Sequence, residues 1–238
     1  MRPLRRLRAG TPEVRELAVQ ALDRLWVAYS RPQDLVFHGP RDGARRLALT
    51  FDDGPSAANT ARILELLAEH DARATFFAVG SRTEGLEEVL GRAVSAGHEL
   101  ANHTYSHLHT VHFKRARLRD DLARASTVIE TATAGAASVR LVRPPFGKDR
   151  RRTVTLGREL GLLTVLWSVD SGDAMGFGCD EIVASVIAGA APGAIVLMHD
   201  GGFERPGTLG ALETVLPRLR ADGYELVTVS ELLAPPVD

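Results

Sequence analysis

Five short segments carry residue types suited to acid–base or metal chemistry, and each follows an apolar run. Thr50-Phe51-Asp52-Asp53-Gly54-Pro55 follows Leu47-Ala48-Leu49 and sets two carboxylates side by side. Neighbouring side chains on an extended strand point to opposite faces. Two acids facing one site therefore need the strand to end or bend there, and Gly54-Pro55 supplies the turn. The alternative is an Asp that caps a following helix, with a solvated neighbour. Asn102-His103-Thr104-Tyr105-Ser106-His107 spaces two histidines four apart, one helical turn, so one face can present both imidazoles. Two imidazoles and a carboxylate make a zinc-type site with open positions for water and substrate. A histidine-rich loop without a metal is the alternative, and His98, His109 and His112 are read as non-ligands.

Arg143-Pro144-Pro145-Phe146-Gly147 ends the run Val139–Val142. Two prolines fix the backbone and remove two donors, leaving the Phe146 and Gly147 amides to point at a ligand; a rigid turn explains the segment equally. Trp167-Ser168-Val169-Asp170-Ser171-Gly172-Asp173 again ends a strand in carboxylates, either for chemistry or to satisfy local amides. Ile195-Val196-Leu197-Met198-His199-Asp200-Gly201 ends a nearly all-apolar strand in a histidine. With an unperturbed pKa of about 6.5, His199 suits a general acid or base, or a backbone hydrogen bond.

The elements that must position these groups alternate. Apolar, β-rich runs fall at about 45–52, 73–80, 98–103, 139–143, 162–169, 193–199 and 224–229, and helix-like stretches at about 57–69, 83–96, 114–133, 150–160, 180–190 and 208–221. Strands alternating with helices predict an α/β fold with a parallel sheet and helices outside it. In such folds the active site sits at the C-terminal strand ends, where all five segments lie. Seven strands suit an open sheet or a barrel, which periodicity does not separate. No GxGxxG or GxxxxGK[ST] motif supports a nucleotide-binding sheet.

Residues 11–30 read as an amphipathic helix, with Thr11 as cap, Pro12 at the first position and Val14, Leu17, Ala18, Ala21, Leu22 and Leu25 at helical spacing. It packs on the main domain or presents a face to a dimer partner or membrane surface. Pro32, Gly39, Pro40 and Gly43 mark 31–44 as a connector. Residues 1–44 are thus helix and connector, and 45–238 the main domain.

Of 238 residues, 45% are hydrophobic and 25% charged, ordinary globular usage that argues against disorder, collagen and coiled coil. The net charge of −1 points to neither nucleic acid nor membrane. Only Lys114 and Lys148 of the 29 basic residues are lysines, a compositional bias rather than a binding code. Cys179 is the single cysteine, so there is neither an internal disulfide nor a multi-cysteine metal site. Arg2, Arg5, Arg6 and Arg8 are not followed by the apolar run of a secretory signal, and no stretch reaches the roughly 18 apolar residues of a membrane span. The expectation is a soluble cytoplasmic protein.

Taken in order, TFDDGP, HTYSH, RPPFG, WSVDSGD and LMHDG resemble the five motifs of the polysaccharide deacetylase family, carbohydrate esterase family 4, with its NodB-type homology domain. The resemblance covers about residues 45–233. It implies a distorted (β/α) barrel of about seven parallel strands and metal-dependent removal of N-acetyl groups from amino sugars. It assigns Asp53, His103 and His107 as ligands of one divalent metal, zinc first, with cobalt or another divalent ion able to replace it. Asp52 becomes the general base, oriented by Arg143. The Phe146 amide becomes an oxyanion donor, His199 the general acid with its pKa raised by Asp173, and Leu197 and Trp167 the pocket for the acetyl methyl.

The resemblance departs at two places. Ala174 stands where the family often has Trp after the fourth-motif Asp, and Leu108 where Pro often follows the second motif. The missing ring removes a wall of the substrate groove and weakens the case for a long chitin-like chain. A small substrate fits better: a chito-oligosaccharide, a nucleotide-linked amino sugar or an N-acetylated sugar of secondary metabolism, with Met175, Phe177 and the loop 170–180 shaping specificity. The competing readings are a metal-dependent amidohydrolase acting on a non-sugar amide, imide or formyl-amino compound, and a non-catalytic carbohydrate-binding protein. The presence of Asp52, Arg143 and His199 favours the deacetylase over both.

Overall fold

The structure, a computed structural model, describes residues 35–235; the helix expected over 11–30 lies outside the described residues. In chain order the elements are β1 (Leu35–Val36), β2 (Arg46–Asp52), α1 (Asn59–Glu69), β3 (Ala74–Ala78), α2 (Glu87–Ser95), β4 (Glu99–Asn102), α3 (Arg115–Ala132) and β5 (Leu141–Val142). There follow α4 (Arg150–Glu159), β6 (Leu163–Val165), β7 (Val169–Asp170), α5 (Cys179–Gly189), β8 (Ile195–His199), α6 (Pro206–Ala221), β9 (Glu225–Leu226) and α7 (Val229–Leu233). The strands pair in parallel in the order β1-β6-β5-β4-β3-β2-β8-β7, and β9 also pairs with β2. β6 and β7 are two parts of one stretch over 163–170. Because β6 pairs with β5 and β7 with β8, the sheet curls back on itself as a distorted barrel.

Two segments differ from the sequence reading. The run at 224–229 is not one strand. After β9, Thr228 accepts the Glu231 N–H and Glu231 reaches back to the Thr228 N–H, a capping box that starts α7. Residues 35–44, read as a connector, contribute β1, and His38 forms an antiparallel bridge with Ala194.

Period-two alternation on the strands sorts the core into two layers. On β2, Leu47, Leu49 and Phe51 pack outward against helices with Ile63, Leu67, Leu212 and Val215, while Ala48 packs inside the barrel with Phe77, Ala101, Leu141, Val165 and Ile195. The central strands are therefore buried on both faces, as helix-covered parallel sheets require. The same alternation turns Thr50 and Asp52 inward. Among the described residues no helix is long and apolar enough to cross a membrane.

Candidate active site

A cavity of about 240 Å³ opens at the C-terminal strand ends, lined among others by Asp52, Asp53, His103, His107, Trp167 and His199. Of the ten residues singled out from the sequence, eight line it, Phe146 and Leu197 included. Arg143 and Asp173 stand behind it, each bonded to a lining residue.

Arg143 extends β5 into the barrel and is fully buried. Its Nη1 donates to Asp52 Oδ1 at 2.6 Å and to the Thr50 hydroxyl at 2.8 Å. Nε and Nη2 donate to the carbonyls of Val165 at 3.2 Å and Leu166 at 3.0 Å. The guanidinium also lies 3.9 Å from the centre of the Phe77 ring. Burial pushes its pKa down and Asp52 works against that shift. A buried charge needs such partners, and its planar fork lets one side chain meet four acceptors in fixed directions. Asp52 Oδ2 is left toward the cavity, 3.7 Å from His103 Nε2.

β2 ends at Asp52, and Asp53 turns back toward the cavity by taking a positive φ of 75°. Thr104, His107 and Phe146 also have positive φ, at 66°, 49° and 61°. Such backbone costs about 1–3 kcal/mol per non-glycine residue and persists where surrounding contacts over-determine it. Here Arg82 donates to the Asp53 carbonyl and Asn102 Oδ1 accepts the Thr104 N–H at 2.8 Å.

Asp53 Oδ1 lies 2.8 Å from His107 Nε2 and 3.6 Å from His103 Nε2. The three candidate ligand atoms are all within 4.8 Å of one another. Atoms held at roughly 2.0–2.2 Å around a tetrahedral ion stand about 3.3–3.6 Å apart, so the donor set fits a small divalent cation. His103 Nδ1 is 2.9 Å from the Arg143 carbonyl. A carbonyl only accepts, so Nδ1 carries the proton and Nε2 offers its lone pair to the cavity. Burial pushes the His103 pKa down to about 4, which keeps the ring neutral, the form able to bind a cation. Burial acts to raise the Asp53 pKa, but the His107 hydrogen bond and the nearby histidines hold it well below the usual carboxylate range.

His199 Nδ1 lies 2.7 Å from Asp173 Oδ1, and Asp173 Oδ2 accepts the His199 N–H at 2.8 Å and the Thr208 hydroxyl at 2.9 Å. The carboxylate thus assigns the Nδ1 proton and leaves Nε2 for a substrate. Burial opposes protonation of His199, yet the Asp173 bond and the charges of Asp52, Asp173 and Asp53 prevail and raise its pKa.

Of the two amides expected to face a ligand in Arg143–Gly147, that of Gly147 is taken up by the Pro144 carbonyl at 3.0 Å. Phe146 remains as the expected donor. Its half-exposed ring stacks on His109 with centroids 4.3 Å apart at 13°. A Cβ at Gly147 would fall 2.7 Å from the Trp167 ring, so the missing side chain lets that ring close the wall. His98 is buried away from the cavity, its Nδ1 accepting the Ala74 N–H at 3.2 Å. The sequence reading assigned no role to Thr50, Thr60, Arg82, Asp200 or Thr208, whose partners come from distant segments. Asp200 alone had a signal, its place beside His199 in LMHDG.

The fold and the site together define a hydrolase of the (β/α)-barrel class. Residues 39–165 match the family model for polysaccharide deacetylase. A peptidoglycan-N-acetylglucosamine deacetylase of Bacillus cereus is 38% identical over 189 residues, 79% of this chain and 87% of the relative. A chitooligosaccharide deacetylase of a Bradyrhizobium species is 36% identical over 206 residues, 82% and 94%. The crystal structure of a peptidoglycan N-acetylglucosamine deacetylase in complex with 4-naphthalen-1-yl-N-oxidanyl-benzamide superposes with a TM-score of 0.80 at 30% identity, covering 87% of this chain and 95% of that one. The chain belongs to the polysaccharide deacetylase family and is a hydrolase of N-acetyl amide bonds.

Proposed function

We propose that this chain is a metal-dependent N-deacetylase that hydrolyses the N-acetyl group of an amino sugar to acetate and a free amine. The observation that carries the reading is the meeting, in one cavity, of the Asp53–His103–His107 donor set, the Arg143-bound Asp52 and the Asp173-bound His199. A divalent ion, zinc first, held by Asp53, His103 and His107 would polarise the amide carbonyl and activate a water.

The chain's own groups do the rest. Arg143 occupies Asp52 Oδ1, so Oδ2 takes the proton from the attacking water. The Phe146 N–H donates to the carbonyl oxygen as it gains charge. His199, protonated on both nitrogens, delivers its Nε2 proton to the departing amine while Asp173 stabilises the imidazolium. Trp167 and Leu197 enclose the acetyl methyl. The tetrahedral centre collapses to acetate and amine without a covalent enzyme intermediate.

The substrate is an N-acetylglucosamine-type residue in a short oligosaccharide or a small conjugate. Ala174 lines the cavity at the position where the family often carries Trp, so the groove lacks the wall that would support a long chain. The relatives' names, peptidoglycan-N-acetylglucosamine and chitooligosaccharide deacetylase, agree on the sugar and differ on the chain around it. The test is acetate release by metal-stripped and by zinc- or cobalt-reconstituted protein, from N-acetylglucosamine, its nucleotide-linked form, chito-oligosaccharides and acetylxylan. Release that needs the ion and favours an amino sugar is the expected result. No release from any of them, with one ion bound per chain, would point instead to a non-sugar amide. Equal turnover of polymeric chitin and small sugars would overturn the short-substrate reading.

A further inference from the structure

Asp200 is a 1% exposed carboxylate beside the site that the proposed chemistry does not use. It follows His199 at the end of β8. Alternation sends His199 into the cavity and Asp200 the other way, behind the turn that ends β2. Its N–H donates to the Asp52 carbonyl at 3.0 Å. Its Oδ2 accepts the Thr60 hydroxyl at 2.5 Å, and Thr60 Oγ1 in turn accepts the Ser56 N–H at 2.8 Å. The Gly54 amide faces the same carboxylate, and a Cβ on Gly54 would fall 2.2 Å from Oδ2, so only a glycine lets the turn pack this closely.

Asp200 therefore grips the turn at residues 52 and 54 and, through Thr60, at 56, on both sides of Asp53 with its φ of 75°. The second oxygen, Oδ1, makes no hydrogen bond, and Asp200 borders a small space lined mainly by apolar groups such as Phe76, Leu90 and Leu100. An isolated polar atom of that kind is unfavourable for folding. What the carboxylate does contribute is its contact with the turn.

We propose that Asp200 is a positioning residue that holds the Asp52–Ser56 turn so that the Asp53 carboxylate is presented, together with His103 and His107, as a preformed cation site. The inference rests on the metal reading above. It predicts that ion affinity depends on a side chain that cannot itself reach the ion. Loss of a group that orients a ligand typically weakens metal binding about 10–100-fold.

The experiment titrates metal-stripped protein with zinc against a chromophoric chelator, and with cobalt read by its visible spectrum. It compares wild type with Asp53→Ala, Asp200→Ala, Asp200→Asn, Thr60→Val and Thr60→Ser. The expected result is tenfold or weaker zinc binding and an altered cobalt spectrum in Asp200→Ala. Asp200→Asn, whose carbonyl still accepts from Thr60, recovers most of the affinity. Asp200→Ala binding within twofold of wild type overturns the inference while leaving the metal reading intact. A wild type that binds no ion overturns both, as does binding that survives Asp53→Ala unchanged. Should Asp200→Ala fail to fold, the Thr60 pair decides: affinity lost in Val and kept in Ser supports the inference, and wild-type affinity in Val overturns it.

Discussion

Asp52 and His199 are register partners on the adjacent parallel strands β2 and β8. Both side chains enter the barrel at one level, about 4.8 Å apart at the backbone, the spacing of neighbouring strands. Each is bound by a different group: Arg143, a permanent cation, on Asp52, and Asp173, a carboxylate, on His199. Arg143 fixes the orientation of the Asp52 carboxylate, and the anion beside the His199 imidazole favours its protonated form. In the proposed mechanism the pairing sets the base and the acid side by side, as amide hydrolysis requires.

The proposed mechanism makes ligand and base separable by mutation. Asp52→Asn keeps the shape of a side chain outside the donor set, so it retains bound zinc and loses about 10²–10⁴-fold in acetate release. Asp53→Ala or His103→Ala loses the ion itself. Metal content after dialysis, measured beside acetate release, checks both outcomes, and zinc lost from Asp52→Asn would contradict the division of roles.

The Asp173–His199 pair makes a signed prediction about pH. The acid acts while protonated, and Asp173 raises the His199 pKa. The contribution of the acid is therefore complete below its raised value and is lost as pH rises through it, which sets the alkaline limb of the profile. In Asp173→Asn the alkaline limb of kcat/KM moves to lower pH. A limb that stays in place would exclude His199 as the group it reports.

Arg143 contributes to stability through Asp52. Removing one partner of a fully buried pair leaves an uncompensated charge and costs about 3–5 kcal/mol. For a domain of this size that lowers Tm by roughly 6–20 °C. Calorimetry of Arg143→Ala should show this drop. Arg143→Lys keeps the charge but loses the fork that reaches Thr50, Asp52, Val165 and Leu166, so it melts nearer to wild type and still loses activity.

Leu197 is 5% exposed and lines the cavity, where it would meet the acyl methyl. One added methylene is worth about 1–3 kcal/mol in such a pocket, so wild type should prefer acetyl over propionyl substrates by about 10–200-fold. Leu197→Ala should shrink that preference, as kcat/KM ratios would show. An unchanged ratio would place the acyl group elsewhere.

His98 predicts a stability change far from the chemistry. Burial, with Arg73 nearby, lowers its pKa from 6.5 to about 4. The unfolded chain takes up this proton near pH 6.5 and the folded chain only near 4, so stability falls as pH drops through that window. His103 shifts the same way and adds to the slope. Tm measured from pH 7 to 4 should decline less steeply in His98→Gln than in wild type.

The sequence by itself determined the alternation of strands and helices, the strand ends where polar residues collect, and the five motifs. These are local signals: a two-residue period, a 3.6-residue period, and Gly-Pro or Pro-Pro breaks next to ionisable groups. The six helices read at 57–221 and the strands from 45 to 199 follow from them. Only tertiary structure decided which residues meet. Arg143 lies 91 positions from Asp52, and Thr60 lies 140 from Asp200; no periodicity encodes either distance. The positive φ of Asp53, His107 and Phe146 belongs with these, because non-glycine residues adopt it when neighbouring contacts impose it. The closing of the sheet into a barrel is likewise a tertiary fact. It depends on one stretch, 163–170, pairing with β5 at its start and β8 at its end, which the apolar pattern of either strand allows but does not specify.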